Sequence, residues 1–227
     1  MTLLHEQQIM ERLVHPHPDQ RLVMTPLVAP EAQLGPSSID VRLGTEFQLQ
    51  ERNIEGVMHP MQALQAMHPS AVNEYTSAYW VKPPAKRVGG AMKTVVASMT
   101  QPFILHPGEF ALACTLEHFQ IPLDLAARLE GRSTWGRLGL LIHATAGFVD
   151  PGFRGALTFE LANISHVPLT LYPGVRIAQM CFFRSDAVTQ LPYHQKKYTK
   201  YSYQPGAKAS AYYQDPEYAQ IAKYLSR

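Results

Sequence analysis

Proline–glycine turns divide the second half of the chain into short apolar segments, and this punctuation constrains the fold more than any other feature. The turns fall at Pro107-Gly108, Pro151-Gly152 and Pro173-Gly174. The segments between them have the length and composition of strands. They span residues 103–105, 110–116, 140–144, 156–162, 169–171 and 176–183. No helical period alternates with them, which argues against a parallel sheet with a Rossmann crevice. We therefore expect a mainly β fold, an antiparallel barrel or sandwich with a few short helices.

The first half of the chain carries two readable elements and one segment without a period. Apolar residues at helical spacing in residues 4–14 predict a short amphipathic helix. Residues 37–44 alternate apolar and polar side chains, which indicates a half-buried strand closed by a glycine turn at Gly44. Residues 51–101 show no clear period, and we expect an irregular insertion there with one helix around residues 60–67.

Length and composition indicate one soluble domain with a terminal arm. A chain of 227 residues can bury a sizeable core, and we expect one domain over residues 1–190. The polar, tyrosine-rich residues 191–227 are expected to form an arm that closes over a ligand. The net charge of +2 is too small to indicate a nucleic-acid surface.

The cellular context is predicted from what the chain lacks. Residues 1–20 have neither the basic flank and apolar core of a signal peptide nor the length of a membrane span. Cys114 and Cys181 stand singly in apolar runs, which favours buried free thiols over a disulfide framework. We therefore expect a cytoplasmic protein without a membrane partner.

Glu160 is the strongest single candidate for chemistry. Alternation along residues 156–162 turns three apolar side chains to one face of a strand and Thr158 with Glu160 to the other. Glutamate is uncommon in strands, so this carboxylate is solvated, paired or functional. A rigid strand would hold a general base well. The alternative is a solvent-facing glutamate on a half-exposed strand.

Residues 131–137 combine a tight turn with two arginines. We expect Ser133 to be the N-cap of a short helical turn, which would expose backbone N–H groups. Arg132 and Arg137 flank that turn. Free N–H groups beside guanidinium groups are suited to a phosphate. A surface turn with two solvated arginines is the alternative.

Residues 143–152 form a third candidate, in which small residues would let the backbone approach a ligand closely. Asp150 precedes a Pro-Gly turn, where aspartate is common for conformational reasons alone. His143 by itself favours a structural role. The chain lacks the H-x-E and P-C-x-x-C signature of the zinc-dependent base deaminases, so we expect no zinc site of that kind.

Taken together, these segments resemble the dCTP deaminase family, a branch of the trimeric dUTPase superfamily. The matching stretches are residues 36–44, 106–117, 131–163, 172–183 and 200–206. The long central stretch is the most specific of them. Residues 51–101 and the end of the chain after Ala207 contribute nothing to the resemblance.

The resemblance implies a distorted, dUTPase-like antiparallel β-barrel that forms a homotrimer, with active sites shared between subunits. It implies that Glu160 is the general base, taking a proton from the water that adds to C4 of cytosine. Ser133 and the carbonyl of Ala146 would hold that water, and Arg137 would order the pocket.

The resemblance also implies a set of nucleotide-binding positions. They are Arg132, Ser133, Thr134, Trp135, Gly136, Arg137, Asp150, Thr158, Phe159, Glu160, Gln179, Tyr193, Lys200 and Gln204. The first six would contact phosphate, Asp150 the sugar 3′-hydroxyl, and residues 158–160 the base. The last three would fold over the triphosphate. Mg²⁺ would be held by the triphosphate rather than by protein side chains, and dTTP is the inhibitor that the resemblance suggests.

Two products remain open at this stage. The primary interpretation is hydrolytic deamination of dCTP to dUTP and ammonia. Ala146, Gly147 and Gln179 instead resemble the family members that both deaminate dCTP and cleave it to dUMP and pyrophosphate. One position departs from the family, since Thr134-Trp135 stands where a serine and a smaller apolar residue are usual.

Two other functions compete with these. A dUTPase without deaminase activity is disfavoured by Glu160, because the plain dUTPases usually carry an apolar residue at that position. A nucleotide-sensing regulator that keeps the fold without turnover is the alternative from another class. The unassigned insertion and arm leave it open.

Overall fold

The computed structural model describes residues 1–50 and 92–225 of the chain. They belong to two compact units, of which the first comprises Met1–Leu49 and Thr94–Lys208. The second contains Ala209 and the residues after it, together with residues 50 and 92–93. The helix predicted around residues 60–67 and most of the expected insertion lie outside the described residues. Within the described ranges, no helix is long and apolar enough to cross a membrane.

The helices of the described residues are short. They are α1 (Glu6–Leu13), α2 (Pro30–Gln33), α3 (Ser133–Gly136) and α4 (Pro216–Leu225). Single 3₁₀ turns occur at Pro18–Gln20, Tyr193–Gln195 and Tyr212–Gln214. Helix α1 confirms the amphipathic pattern, because Ile9 is fully buried while its polar neighbours face solvent. The tertiary contacts that cover Ile9 stabilise a helix too short to persist alone.

Strands are the main regular elements of the first unit. They are β1 (Thr2–Leu3), β2 (Val23–Thr25), β3 (Ile39–Gln50), β4 (Met92–Val96), β5 (Phe103–Leu105), β6 (Phe110–Gln120), β7 (Leu125–Gly131), β8 (Leu140–Leu141), β9 (Phe148–Val149), β10 (Arg154–Asn163), β11 (Leu169–Leu171) and β12 (Arg176–Arg184). Two of them, β3 and β4, extend just beyond this unit. The main sheet has the order β8-β10-β6-β3-β12-β7-β9. Strands β1, β2 and β4 pair beside it, and β5 with β11 forms a separate two-stranded sheet. The main sheet curls strongly into an antiparallel half-barrel, so the expected mainly β fold is confirmed.

The Pro-Gly turns lie where the sequence places them. Gly108, Gly152 and Gly174 adopt φ values of +74°, +82° and +82°, a region that favours glycine. At Gly152 an added Cβ would also lie 2.7 Å from the Cβ of Pro192. Glycine is therefore needed there for close packing as well as for the turn.

Several strand boundaries differ from the sequence predictions. The turn expected at Gly44 is wrong, because β3 continues through this residue. A Cβ there would lie 2.9 Å from the carbonyl oxygen of Cys114, so the glycine serves close strand contact. Strand β8 is shorter than expected, since the chain bends at Ile142. Strand β7 is not predicted by its sequence, because its mixed pattern LAARLEG lacks clear alternation. Strand β4 falls inside the segment expected to be an irregular insertion.

Strand β10 shows the alternation that its sequence predicts. The side chains of Leu157, Phe159 and Leu161 are at most 8% exposed, whereas Thr158 and Glu160 are only partly buried. The apolar face joins a core that includes Phe47 stacked on Phe103 at 4.2 Å between ring centroids. Burial of this face fixes the rotational setting of the strand and thus the direction of Glu160.

A buried polar cluster of Gln33, Arg42 and Glu117 ties α2, β3 and β6 together. The carboxylate of Glu117, which is fully buried, accepts hydrogen bonds from the Arg42 amide at 2.9 Å and from Gln33 Nε2 at 3.1 Å. The Arg42 guanidinium lies 3.7 Å from the same carboxylate. Burial raises the pKa of Glu117 above its usual value, and the amide and the guanidinium oppose that rise.

Removing this carboxylate is expected to destabilise the protein strongly. Glu117→Ala leaves the Arg42 guanidinium, only 8% exposed, without its counter-charge. The expected loss in free energy of unfolding is about 3 kcal/mol or more, measured by denaturant unfolding at neutral pH. Glu11→Ala, an exposed position on α1, is the control and is expected to change stability by less than about 0.5 kcal/mol. Equal effects of the two variants would contradict the assigned role of Glu117.

Candidate active site

Glu160 is held on β10 by backbone groups of the segment that follows β8. Its own amide donates to the carbonyl of Ile142 at 2.9 Å. Its Oε2 accepts hydrogen bonds from the amides of Ala144 at 2.7 Å and Thr145 at 3.3 Å. Among the described residues no donor is assigned to Oε1, so one carboxylate oxygen is fixed while the other remains open to a ligand. This is the geometry required of an oriented base.

The segment 144–147 turns tightly beside this carboxylate. The carbonyl of Gly147 accepts a hydrogen bond from the Leu129 amide at 2.7 Å. A Cβ on Gly147 would lie 2.9 Å from the Leu129 carbonyl and 3.2 Å from Nε2 of His143. Gly147 is buried, whereas Ala146 is exposed and directly follows the two residues whose amides bind Glu160. The small residues in the sequence therefore reflect close backbone packing.

The Arg-Ser turn is helical, as expected, but begins one residue earlier than predicted. Arg132, not Ser133, is the N-cap of α3, and no side chain caps it. The amides of Trp135 and Gly136 donate to the Arg132 carbonyl at 3.0 and 3.1 Å, and the Arg137 amide donates to Ser133 at 3.0 Å. These three amides are engaged within the turn. Ser133 and Arg137 are exposed, so phosphate binding here would depend on side chains more than on the backbone.

Arg132 is fixed by contacts to two other elements. Its Nε lies 3.3 Å from Oδ2 of Asp40, and its Nη1 donates to the carbonyl of Arg176 at 3.1 Å. Nη1 of Arg176 donates to the same Asp40 oxygen at 3.1 Å. Trp135 Nε1 also donates to the Arg176 carbonyl, at 3.1 Å. Burial raises the pKa of Asp40 above its usual value, while Arg132 and Arg176 act to lower it.

Gln179 lies between the two groups of residues just described. In β12 it pairs with Asp40 of β3 on one side and with Glu130 of β7 on the other. Directly opposed residues on neighbouring strands share one face of the sheet. Glu130 lies 3.9 Å from Nε2 of His143, which adjoins the segment that holds Glu160. A polar row thus runs from the Arg132 turn towards Glu160.

The first part of the expected arm packs on β10. The Gln204 carbonyl accepts a hydrogen bond from the Ala156 amide at 2.9 Å. Its Nε2 donates to the Ala156 carbonyl at 2.7 Å and to Thr158 Oγ1 at 3.1 Å. Gln204 is only 6% exposed, although the polar sequence of the segment suggests no core position. The arm therefore reaches the strand face that carries Glu160, and the division at residue 190 stays a prediction.

Tyr193 and Asp150 lie near the turn after β9. The Tyr193 amide donates to the Pro151 carbonyl at 2.9 Å, next to Asp150, and the Tyr193 ring packs on Phe153 at 5.8 Å between centroids. Burial raises the pKa of the Tyr193 hydroxyl, and the Asp150 charge adds to this rise. The Lys200 carbonyl accepts a hydrogen bond from the Lys208 ammonium. Tyr193 and Asp150 are thus neighbours.

The structure brings together some of the expected residues within one chain and not others. Phe159 has a fully buried side chain, so only its backbone can meet a ligand. Glu160 makes no hydrogen bond or ion pair with Ser133 or Arg137 within the described part of the chain. The two segments approach through Ile142, whose Cγ1 would lie 3.4 Å from a Cβ on Gly131.

The described residues do not form a protein cage for a metal ion. No three His, Cys, Asp or Glu side chains within residues 1–50 and 92–225 converge in a way that could hold one. The donor set around the Arg132 turn is instead cationic and suited to phosphate oxygens.

Sequence reasoning missed four contributors to this site. Asp40 and Arg176 fix Arg132, and the amides of Ala144 and Thr145 fix Glu160. Asp40 lies inside a stretch that resembles the family, so the sequence contained a signal that this residue belongs to the site. The two amides gave none, because backbone donors carry no residue identity.

Comparison with known families matches residues 4–185 to a family described as dCTP deaminase-like. A protein of Dictyoglomus turgidum named dCTP deaminase, dUMP-forming, is 40% identical over 192 residues, or 85% of this chain and 87% of its own length. A protein of Halobacterium salinarum with the same name is 38% identical over 216 residues, or 95% of this chain and 97% of its own.

The fold is also found among solved structures. The crystal structure of 2′-deoxycytidine 5′-triphosphate deaminase from Agrobacterium tumefaciens aligns with a TM-score of 0.53 at 18% identity. The alignment covers 84% of this chain, which spans half of the length of that protein. The family match over most of the sequence and the shared fold agree, and this chain belongs to the dCTP deaminase-like family.

Proposed function

We propose that this protein hydrolytically deaminates dCTP, with Glu160 as the general base. The observation that carries the proposal is the Glu160 carboxylate, fixed through Oε2 by two backbone amides at 2.7 and 3.3 Å. Relatives that are about as long as this chain are named dCTP deaminase, dUMP-forming, which supports the substrate.

The reaction needs one base that can both accept and return a proton. Oε1 of Glu160 would take a proton from water as its oxygen bonds to C4 of the cytosine ring. As the water oxygen bonds to C4, the electron pair of the C4–N3 double bond would move to N3. The first proton would pass from Glu160 to the exocyclic nitrogen, the exocyclic C4–N bond would break, and ammonia would leave. The C4 hydroxyl would lose the second water proton as the C4 carbonyl forms, and that proton would end on N3 of the uracil ring. The carbonyl of Ala146, an exposed residue, and the hydroxyl of Ser133 are the groups proposed to hold the water.

The triphosphate is proposed to bind at the Arg132 turn, with the sugar near Asp150. Arg132 and Arg137 supply guanidinium groups that suit phosphate oxygens, and Tyr193, Lys200 and Gln204 belong to the arm proposed to close over them. Mg²⁺ would accompany the phosphates, where it would neutralise part of their charge. Inhibition by dTTP would use the same phosphate contacts.

We further propose that a second and a third copy complete the site in a homotrimer. In the part of the chain that the structure describes, Ser133 and Arg137 make no hydrogen bond or ion pair with Glu160, so a neighbouring copy can supply them. Apolar side chains flank both segments at the surface, with Leu138, Leu141 and Phe148 exposed by 50%, 42% and 57%. Apolar exposure of this size beside polar site residues is typical of an interface.

Of the two products that the sequence leaves open, we propose dUMP. The Ala146-Gly147 pair keeps the wall beside Glu160 small, and Gln179 lies between Asp40 and Glu130. The names of the relatives include the formation of dUMP. Cleavage between the α- and β-phosphates by a second water would then release pyrophosphate.

Glu160→Gln is expected to lower the rate of ammonia release by about 10²- to 10⁴-fold, because the amide cannot accept the proton of water. Binding of dCTP should persist, since the Gln oxygen can still accept the Ala144 amide. The measurement is ammonia release from dCTP, with binding followed by calorimetry. Glu11→Gln, on the exposed face of α1, is the matched control and should keep the parental rate. An unchanged rate in Glu160→Gln would refute the assignment.

Incubation of the purified protein with dCTP and Mg²⁺ is expected to yield dUMP, pyrophosphate and ammonia in equal amounts, measured by chromatographic separation of the nucleotides. Accumulation of dUTP would instead establish the deaminase that stops after the first step. Tight dCTP binding without any product would favour a nucleotide-sensing regulator and contradict the proposal.

A further inference from the structure

The candidate phosphate arginine, Arg132, depends on a carboxylate that takes no part in the proposed chemistry. Asp40 is about one seventh exposed at its side chain and contacts both Arg132 and Arg176 through Oδ2, at 3.3 and 3.1 Å. Arg176 also contacts Arg132 directly, because its carbonyl accepts a hydrogen bond from Arg132 Nη1 at 3.1 Å. The three residues form a closed ring in which Nε and Nη1 of Arg132 are engaged.

This arrangement sets the direction of the Arg132 guanidinium. Arginine has five N–H donors in a rigid planar fork. Two contacts from separate elements fix the plane of that fork, and within the described residues no acceptor is assigned to Nη2. The side chain of Arg132 is 29% exposed, so its remaining donors can reach a ligand at the surface. A phosphate group matches this geometry, because it accepts two parallel N–H bonds from one guanidinium.

Asp40 is itself rigidly held. Its carbonyl accepts a hydrogen bond from Gln33 Nε2 at 2.9 Å, and the same Gln33 amide binds the buried Glu117 carboxylate at 3.1 Å. Strand β3 continues to Arg42, whose amide also binds Glu117, at 2.9 Å. The buried polar cluster of Gln33, Arg42 and Glu117 thus fixes the backbone that carries Asp40. Because Asp40 contacts Arg132, the cluster also restricts the position of the Arg132 guanidinium.

The charges in this region allow two possible effects of Asp40 on phosphate binding to be told apart, namely its own negative charge and its orientation of Arg132. Arg42, Arg132 and Arg176 surround the two carboxylates of Asp40 and Glu117, so the group retains excess positive charge. By charge alone, removing Asp40 would strengthen the attraction for a phosphate anion. If Asp40 instead orients Arg132, removing it weakens phosphate binding. The two effects have opposite signs and can be separated by measurement.

We propose that Asp40 is the positioning residue of the triphosphate subsite, acting through Arg132 on the phosphate groups of the nucleotide. This inference rests on the proposed function, because it assigns the triphosphate of that substrate to the Arg132 turn. Asp40 touches neither the base nor the reacting carbon in this arrangement. Its loss therefore raises the KM for dCTP and leaves kcat largely intact.

Inorganic triphosphate is the most direct probe, because it has no cytosine base and its binding therefore tests the Arg132 turn without a contribution from Glu160. Its binding is measured by calorimetry on the full-length protein and on Asp40→Asn. The variant is expected to bind triphosphate about tenfold more weakly, the loss of one oriented charge-assisted contact. Binding as tight as the wild type, or tighter, overturns the inference, because it shows that charge outweighs position.

Two more variants exclude loss of folding and nonspecific charge effects. Asp40→Glu keeps the negative charge but displaces the carboxylate by one methylene. This variant should also bind triphosphate more weakly than the wild type. Wild-type affinity in Asp40→Glu would overturn the inference. Asp124→Asn is the matched control, because Asp124 forms a similarly buried pair with Arg12, at 20% and 15% exposure. Among the described residues, that pair makes no ion pair with Asp40, Arg132 or Arg176. It should lower thermal stability without changing triphosphate affinity.

The route through Arg132 is tested by a double variant. Arg132→Gln should itself lose triphosphate affinity, and adding Asp40→Asn should cause no further loss if Asp40 acts through this guanidinium. Additive losses would overturn the assigned route. A wild type that binds triphosphate but releases no ammonia from dCTP would refute the proposed deamination and leave the role of Asp40 standing. A wild type that binds no triphosphate would refute the inference itself.

Discussion

Burial of one face of β10 is the constraint on which the rest of the site depends. Phe159 and Leu161 are fully buried, and exposing them would cost several kcal/mol of hydrophobic stabilisation, about 2 kcal/mol for each large side chain. The strand cannot rotate or slip by one residue without that loss. Glu160 is therefore directed outward by the same packing that stabilises the half-barrel, and the amides of residues 144 and 145 meet it there.

The site separates into a part for proton transfer and a part for anion binding. Glu160 relies on backbone amides, which need no side chain and tolerate small residues beside them. Arg132 relies on Asp40 and Arg176, which are fixed in turn by the buried cluster of Gln33, Arg42 and Glu117. Gln179 lies across the strands between the two parts. A change at the buried cluster can thus reach ligand binding without touching the carboxylate that is proposed as the base.

Family membership and catalytic detail rest on different observations. Membership follows from the match over residues 4–185 and from relatives about 40% identical over most of the chain. The proposed product, base and trimer depend instead on a few local contacts around Glu160 and Arg132. Within one chain, Glu160 makes no hydrogen bond or ion pair with Ser133 or Arg137 in the described residues, which is why neighbouring copies are proposed to complete the site.

The sequence by itself determined the β character, the Pro-Gly turns and the outward direction of Glu160, because these follow from local conformational preference and from a period of two. It also carried enough of the family pattern to indicate dCTP as the substrate to be tested. Only the tertiary structure decided that Asp40 holds Arg132, that Gln204 packs on β10, and that Gly44 lies within a strand. Those features depend on residues far apart in the chain whose contacts arise when strands pair and bury polar groups, and no local pattern records such contacts.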